Sequence, residues 1–260
     1  TESDTNPIYY YRGNVSNNIL FAGYCWKIVR TTEYGGLKLI YNGVPSSGTC
    51  NNTGTSSQIG TSAFNTSNND NAYVGYMYGT PNSSTYALTH ANTNNSTIKT
   101  YIDNWYSTNM TSYTSQLEPV VFCNDRSIDS GTGIGTTATY YGAYGRLHST
   151  PAQYAPTLDC PNASNDLFST SSASIGNKAL TYPVGLITAD EVMMAGAKAV
   201  QMGTAIFTDP YSPLKVIDGL EKYMEETGQQ FKIRFANRLD MDTSGIVIVA
   251  KNANAQNGIS

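Results

Sequence analysis

The amino-acid sequence divides near residue 196 into two stretches of different composition, and this division limits the folds that the chain can adopt. Ser, Thr and Asn make up 70 of the first 196 residues but only 11 of the last 64. Charged residues change in the opposite direction, from 20 of 196 to 14 of 64. Because a single domain usually keeps one kind of surface, we expect two units of different origin, residues 1–196 and residues 197–260.

Net charge and hydropathy argue against two classes of partner. The formal net charge is −4, and charged residues make up only 13% of the 260 residues. Such a chain lacks the basic surface that holds phosphate backbones, so we expect no nucleic-acid partner. The sequence has no run of about eighteen apolar residues, so we also expect no membrane span.

The first stretch is predicted to be a β-rich, loop-heavy α+β domain. Short polar side chains favour turns and loops, and 18 of the 20 tyrosines lie here, where they supply area for burial. Strands are predicted at 7–12, 19–30 and 36–42, with a turn at 33–36 joining the last two.

Two helices are also predicted before the division. Asn95 or Ser96 is expected to cap the first helix, whose apolar residues recur at helical spacing along one face. These residues are Ile98, Tyr101, Ile102 and Trp105. The second helix begins at Thr188 and carries Asp190 and Glu191 in its first turn, where the helix dipole favours anions.

The last 64 residues follow the pattern of an α/β protein. Short strands are predicted at 199–202, 231–235 and 246–250, and a helix is predicted that begins at Ser212 or Pro213 and ends at Gly228. The run at 246–250 is apolar throughout, which is typical of a strand buried on both faces. We therefore expect a short α/β tail after the α+β domain.

All four cysteines lie before the division, at Cys25, Cys50, Cys123 and Cys160. No two are spaced as Cys-x-x-Cys and neither histidine is near them, so no metal site is expected. Four cysteines allow three disulfide connectivities, of which nearest-neighbour pairing would close two loop-heavy segments. The alternative is four reduced, buried thiols. We expect disulfides, and hence an extracellular or cell-surface location.

A cluster of three tyrosines and an arginine is the candidate ligand-binding site. It consists of Tyr140, Tyr141, Tyr144 and Arg146. Aromatic rings of this kind stack on sugars or press against partner proteins, so the expected ligand is a glycan or a protein. The alternative is that these tyrosines fill a core rich in polar groups.

Two short motifs resemble ion-binding loops but lack essential parts. The loop of Gly131, Gly133 and Gly135 has no following Lys-Ser/Thr, so we expect a flexible surface loop and not a phosphate cradle. Residues 68–70, Asn-Asn-Asp, offer few carboxylates to calcium, so we expect a plain Asx turn there.

Two further polar groups are weaker candidates. Cys123, Asp125 and His148 are the residue types of a nucleophile, an orienting acid and a base, but a disulfide would remove the thiolate of Cys123. His90 lies in a polar stretch and is expected to be a solvated loop histidine.

Several stretches within residues 9–196 are characteristic of one bacterial family. They are FAGYCWKIVR, IGTSAFN, NDNAYVGYMYG, STIKTYIDNWY, VFCNDRS, GTGIGTTATYYGAYGRL and ALTYPVGLITADE. On these stretches the chain resembles bacterial secreted or cell-surface domains of unknown function. That family looks like the C-type-lectin-like fold, which it shares with the formylglycine-generating enzymes. The resemblance implies a lectin-like domain over residues 1–196, here without the family's closing elements.

Residues 195–226 change character again. The segment AGAKAVQMGTAIFTDPYSPLKVIDGLEKYMEE resembles the C-terminal end of the dihydroorotate dehydrogenases, which are FMN-binding (β/α)₈ barrels. The resemblance implies that Gly203 and Thr204 correspond to residues whose backbone amides hold the flavin phosphate.

Residues 237–252 carry a third signature. The segment NRLDMDTSGIVIVAKN is similar to the Arg-Leu-Asp-x-x-Thr-Ser-Gly motif of the pseudouridine synthases, in which Asp240 would be the catalytic aspartate. Each tail segment is a small part of a much larger catalytic fold, so we expect no bound cofactor and no RNA modification.

These observations predict a chimeric chain whose main part is a non-catalytic, secreted or cell-surface binding or adhesion module. One alternative is a formylglycine-generating-like oxidase, which would require a reactive, metal-binding cysteine pair. The others are residual FMN binding or pseudouridine synthase activity in the tail.

Overall fold

The computed structural model describes residues 7–12, 16–119, 121–147 and 155–195. These residues form an α+β structure of small antiparallel sheets, short helices and long loops, as the sequence predicts. The strands of this part are β1 (Asn18–Phe21), β2 (Tyr24–Thr31), β3 (Leu37–Tyr41), β4 (Met77–Tyr78), β5 (Asn94–Asn95), β6 (Phe122–Cys123), β7 (Ile128–Ser130), β8 (Tyr140–Tyr141) and β9 (Leu167–Phe168). Its α-helices are α1 (Tyr86–Thr89), α2 (Thr97–Asn109), α3 (Gly142–Leu147), α4 (Ala163–Asp166) and α5 (Ala189–Met194).

Strands β1, β2 and β3 form a three-stranded antiparallel sheet, and the prediction of one strand over 19–30 is wrong. Ala22 and Gly23 have φ angles of 53° and 79°, and the chain reverses there into a β1–β2 hairpin. Two consecutive residues with positive φ give the backbone twist that a two-residue hairpin turn needs. The predicted strand at 36–42 is confirmed as β3.

The remaining sheets each contain two strands, β4 with β5, β6 with β9, and β7 with β8. Residues 7–12 are not a regular strand, because within this range only Tyr10 forms a bridge, to Arg30. The described residues also include three short 3₁₀ helices. These are Gly54–Ser57, Asn71–Tyr73 and Thr111–Gln116.

Helix α2 begins where the sequence predicts. The hydroxyl of Ser96, and not the side chain of Asn95, accepts a hydrogen bond from the backbone N–H of Lys99 at 3.1 Å. Ile102 and Tyr106 are buried on the inner face of the helix, whereas Tyr101 is 37% exposed. The prediction that Tyr101 belongs to the buried face is therefore wrong.

An aromatic cluster attaches α2 to the three-stranded sheet. The ring centroid of Trp105 lies 5.4 Å from that of Tyr24, 5.3 Å from that of Tyr41 and 6.4 Å from that of Trp26. The mainly edge-to-face geometry of these pairs is the one that aromatic quadrupoles prefer.

The apolar core lies between α2 and the β6–β9 pair. The core cluster consists of Tyr76, Met77, Ile102, Phe168 and Leu180. Burial of such side chains contributes about 1.5–3 kcal/mol each to the free energy of unfolding. A second cluster of Val121, Cys160 and Leu167 surrounds one disulfide.

Helix α5 begins at the predicted position and is fixed to the three-stranded sheet. Thr188 and Glu191 form a capping box, in which each side chain pairs with the backbone of the other. The Glu191 carboxylate also pairs with Arg30 of β2 and Lys38 of β3.

Two disulfides join nearest neighbours along the chain, Cys25 with Cys50 and Cys123 with Cys160. This is one of the three connectivities that the sequence allows, and all four thiols are used. Within the described ranges, none of the helices is both long and apolar enough to cross a bilayer.

The predictions for the tail fall on residues that the structure does not describe. They concern the strands and helix after residue 196 and the three residues Gly203, Thr204 and Asp240. His148 also lies outside the described residues.

Candidate ligand-binding site

The structure divides the predicted tyrosine cluster into an outer and an inner part. The rings of Tyr140 and Tyr144 are stacked, with centroids 4.7 Å apart, and Tyr140 is 38% exposed. Tyr141 faces inward, where its hydroxyl donates to Asn71 Oδ1 at 2.9 Å. Burial raises the pKa of Tyr141, so the phenol stays protonated. Only Tyr140 and Tyr144 therefore form an outer aromatic pair.

Arg146 lies between two carboxylates. Its Nη1 is 2.6 Å from Asp125 Oδ2, and its Nη2 is 3.1 Å from Asp190 Oδ2 on α5. Burial alone would lower the pKa of Arg146, but its hydrogen bonds to Asp190 and Asp125 raise it above the usual value. Arg146 thus joins α3 to α5, and an anionic ligand would have to compete with both aspartates.

A cleft of about 240 Å³ lies beside α5. Its walls include Lys38, Arg146 and Glu191, whose charges are neutralised by the ion pairs within the domain. Tyr76 Oη and Asn124 Nδ2 are buried and have no hydrogen-bond partner among the described residues, and both residues line this cleft. The cleft therefore presents mainly apolar surface and paired charges.

The prediction that His90 is a solvated loop residue is wrong. His90 is only 1% exposed, its Nε2 lies 3.1 Å from the carbonyl oxygen of Gly133, and its ring centroid is 4.4 Å from that of Tyr86. Burial, together with the positive charge of Arg126, lowers its pKa to about 4. The sequence around His90 is polar, but α1 and the glycine loop enclose the ring.

The glycine loop packs against the domain and does not form a cradle for phosphate. Gly131, Gly133 and Gly135 all have positive φ angles, at 99°, 67° and 55°. A Cβ atom at Gly133 would lie 2.9 Å from the Tyr86 ring. Glycine at this position therefore permits close approach to a core aromatic ring.

The Asn-Asn-Asp stretch forms a turn, as expected. Asp70 Oδ1 accepts from the backbone N–H of Ala72 at 2.7 Å, and Oδ2 accepts from that of Asn82 at 2.9 Å. Both carboxylate oxygens thus satisfy backbone donors. Across 7–12, 16–119, 121–147 and 155–195, no three His, Cys, Asp or Glu side chains group as metal ligands.

Sequence reasoning missed a surface groove of about 460 Å³, which lies beside α2. This volume falls within the range of about 300–1,000 Å³ that ligand sites span. Three tyrosines line it, Tyr73, Tyr78 and Tyr101, together with serine, threonine and asparagine side chains. Within the part of the chain that the structure describes, no charged residue lines it. We call this feature the tyrosine groove.

The tyrosine groove is built from three separate segments. Tyr73 ends the Asn71–Tyr73 3₁₀ helix, Tyr78 ends β4, and their ring centroids are 5.2 Å apart with an interplanar angle of 57°. Asn65 connects two of the walls, because its Nδ2 donates to the Tyr73 carbonyl at 2.9 Å and its Oδ1 accepts from the Thr97 N–H at 3.1 Å. These contacts tie the loop at Asn65 to Tyr73 and to the start of α2.

Tyr101 is supported from the side of the preceding loop. Its hydroxyl lies 3.5 Å from the carbonyl oxygen of Ile59, and a Cβ atom at Gly60 would collide with that hydroxyl. The ring is 37% exposed. Glycine at position 60 therefore leaves room for the Tyr101 hydroxyl at its present position.

No protein-family model and no solved structure matches the chain, whereas short stretches match dihydroorotate dehydrogenases. The chain is 51% identical over 59 residues to the catalytic subunit of dihydroorotate dehydrogenase B (NAD(+)) from Enterococcus faecalis, covering 22% of this chain and 19% of that protein. It is 44% identical over 72 residues to a putative dihydroorotate dehydrogenase A (fumarate) of Aquifex aeolicus, covering 25% and 24%.

A match to the Bacteroides fragilis catalytic subunit of dihydroorotate dehydrogenase B is shorter, with 55% identity over 38 residues, 15% of this chain and 12% of that protein. The chain thus spans about a fifth of the length of the first of these curated relatives, and the predicted resemblance to dihydroorotate dehydrogenases is confirmed over short segments.

Proposed function

We propose that residues 1–196 form a secreted or cell-surface, lectin-like module that binds a glycan or protein ligand without catalysing a reaction. The tyrosine groove is the observation that carries this proposal. It combines aromatic rings with amide and hydroxyl groups in a fixed surface depression. Rigid rings with polar edges give large contact areas at low entropic cost, which favours recognition.

The composition of the groove supports a binding role. Among the described residues, its lining contains no carboxylate, histidine, lysine or cysteine, so its serine, threonine and tyrosine hydroxyls have no strong general base beside them. The two disulfides support a location outside the reducing cytosol. Small sheets linked by long loops and closed by disulfides support a lectin-like domain.

A binding survey with matched variants tests this proposal. The full chain is applied to immobilised glycans and to extracellular matrix proteins, beside Tyr78→Ala in the groove and Tyr140→Ala in the outer pair. We expect a ligand whose binding weakens in Tyr78→Ala and is unchanged in Tyr140→Ala. Absence of binding to every glycan and protein by a folded chain would contradict the proposed function.

A further inference from the structure

We infer that the tyrosine groove binds an uncharged polysaccharide chain by stacking sugar rings on tyrosine, without calcium. This inference rests on the proposed binding function and specifies its ligand.

The lining of the groove indicates an uncharged ligand. A uronate, sialate or phosphate group loses hydration when it enters a groove. Unless a cationic side chain pairs with it there, the cost of removing that charge from water opposes binding. None of the described residues that line the groove is a lysine, an arginine or a histidine. A sugar bearing only hydroxyl groups has no such requirement, because the amides and hydroxyls of the groove can replace water.

The geometry of the rings matches the two kinds of surface on a pyranose. The apolar C–H face of a sugar can lie on an aromatic ring, and Tyr73 and Tyr78 present two such rings inclined at 57°. The hydroxyl edge of the sugar needs donors and acceptors. Asn95 and Asn104 supply exposed amides, and neither side chain has a hydrogen-bond partner within the described ranges.

The groove follows α2 and therefore fits a chain better than a single sugar. Its helical lining extends from Thr97 through Tyr101 to Asn104, a span of seven residue steps along the helix axis. At 1.5 Å per residue this distance is roughly 10 Å, which exceeds the length of one pyranose ring. The groove thus presents contacts to more than one ring of a polysaccharide.

The described lining of the groove offers calcium no carboxylate ligands. Calcium sites in proteins usually include Asp or Glu oxygens, and neither residue type is among the described residues that line the groove. Asp70 is close to Tyr73 in the chain, but both of its oxygens accept backbone N–H groups. The stacked sugar is therefore held by aromatic contact and neutral hydrogen bonds alone.

The test compares neutral and acidic polysaccharides as probes for the full chain in EDTA. The neutral set contains β-glucan, xylan and mannan, and the acidic set contains polygalacturonate and hyaluronate. We expect binding to at least one neutral polysaccharide and none to the acidic ones. Tyr78→Ala should weaken binding by about tenfold or more, because a stacked ring buries apolar area on both partners.

Three further variants separate stacking from misfolding. Tyr78→Phe keeps the ring and should bind within about threefold of the wild type, whereas Tyr140→Ala should bind equally well. Gly60→Ala places a methyl group against the Tyr101 hydroxyl, so it should displace the Tyr101 ring and weaken binding. The midpoint of its unfolding transition shows whether the variant is still folded.

The outcomes distinguish the inference from the proposed function. A preference for acidic polysaccharides, loss of binding in EDTA, or sensitivity to Tyr140→Ala without sensitivity to Tyr78→Ala would overturn the inference. Each of these results would leave a binding module intact. Absence of binding to every glycan and every protein would overturn both.

Discussion

Glu191 Oε1 on α5 lies 2.6 Å from Lys38 Nζ on β3, although 153 positions separate the two residues. The same oxygen accepts from Arg30 Nε at 3.0 Å, and the Glu191 side chain is only 3% exposed. Burial alone would raise the pKa of Glu191, but Lys38 and Arg30 hold it below its usual value. This triad joins the end of the described chain to the sheet near its beginning.

Glu191→Gln should destabilise the domain by about 3 kcal/mol, because it removes a buried carboxylate that pairs with two buried cations, Lys38 and Arg30. Urea unfolding followed by tyrosine and tryptophan fluorescence measures the change. Lys27→Gln is the matched control, since it removes an exposed charge from the same sheet and should have an effect of less than about 0.5 kcal/mol. Equal stabilities of Glu191→Gln and the control would refute a structural role for the triad.

His90 makes the stability of the domain depend on pH between about 6.5 and 4. Its pKa in the folded state is lowered to about 4 by burial and Arg126, so protonation favours the unfolded chain. The contribution of His90 to the free energy of unfolding is fully present above pH 6.5. It is lost as the pH decreases toward 4, and the total loss is roughly 3 kcal/mol. Nearby Asp70 opposes part of this shift, and Tyr86 and Tyr141 stay neutral in this range.

His90→Gln tests this pH dependence through the thermal midpoint at several pH values. The wild type should lose stability steadily between pH 6.5 and 4, and the variant should lose much less. Glu191 does not confuse the comparison, because its lowered pKa confines its contribution to pH values below about 4.5. Parallel curves for the two proteins would show that His90 is not the responsible group.

The Cys123–Cys160 disulfide should contribute substantially to the free energy of unfolding. It closes a separation of 37 residues and packs against Val121 and Leu167. The double variant Cys123→Ala/Cys160→Ala should have a free energy of unfolding lower by roughly 3–4 kcal/mol.

The wild-type protein tests whether the cysteines are paired. Intact mass after alkylation without reductant should show no modified cysteine, and four alkylated thiols would contradict the pairing.

The full chain should show no flavin absorbance near 450 nm. The resemblance places Gly203 and Thr204 at a flavin phosphate, but the matched relatives are about five times longer than their shared segment. An isolated phosphate loop supplies only part of the binding energy of a flavin. An absorbance spectrum of protein purified with added FMN measures this directly, and a yellow protein would contradict the prediction.

The sequence predicts those features that depend on neighbouring residues. The sequence predicts a cap at Asn95 or Ser96 and a helix that begins at Thr188, because a helix start needs only a short polar side chain beside free backbone N–H groups. The β1–β2 hairpin was missed because Ala22 is not a typical turn residue, and only the surrounding fold places it at positive φ.

Long-range contacts account for the other differences. His90 is buried by Gly133 and Tyr141, which follow it by more than forty residues, so its polar neighbours in sequence are no guide. The tyrosine groove was missed for the same reason, since Tyr73 and Tyr101 come from different elements.

Affinity of the full chain for neutral polysaccharide in EDTA, measured for the wild type and for Tyr78→Ala, tests the central proposal most directly. We expect saturable binding by the wild type and a loss of about tenfold or more in Tyr78→Ala, measured at a temperature at which both proteins are fully folded. Equal affinities of the two proteins for the same polysaccharide would contradict it.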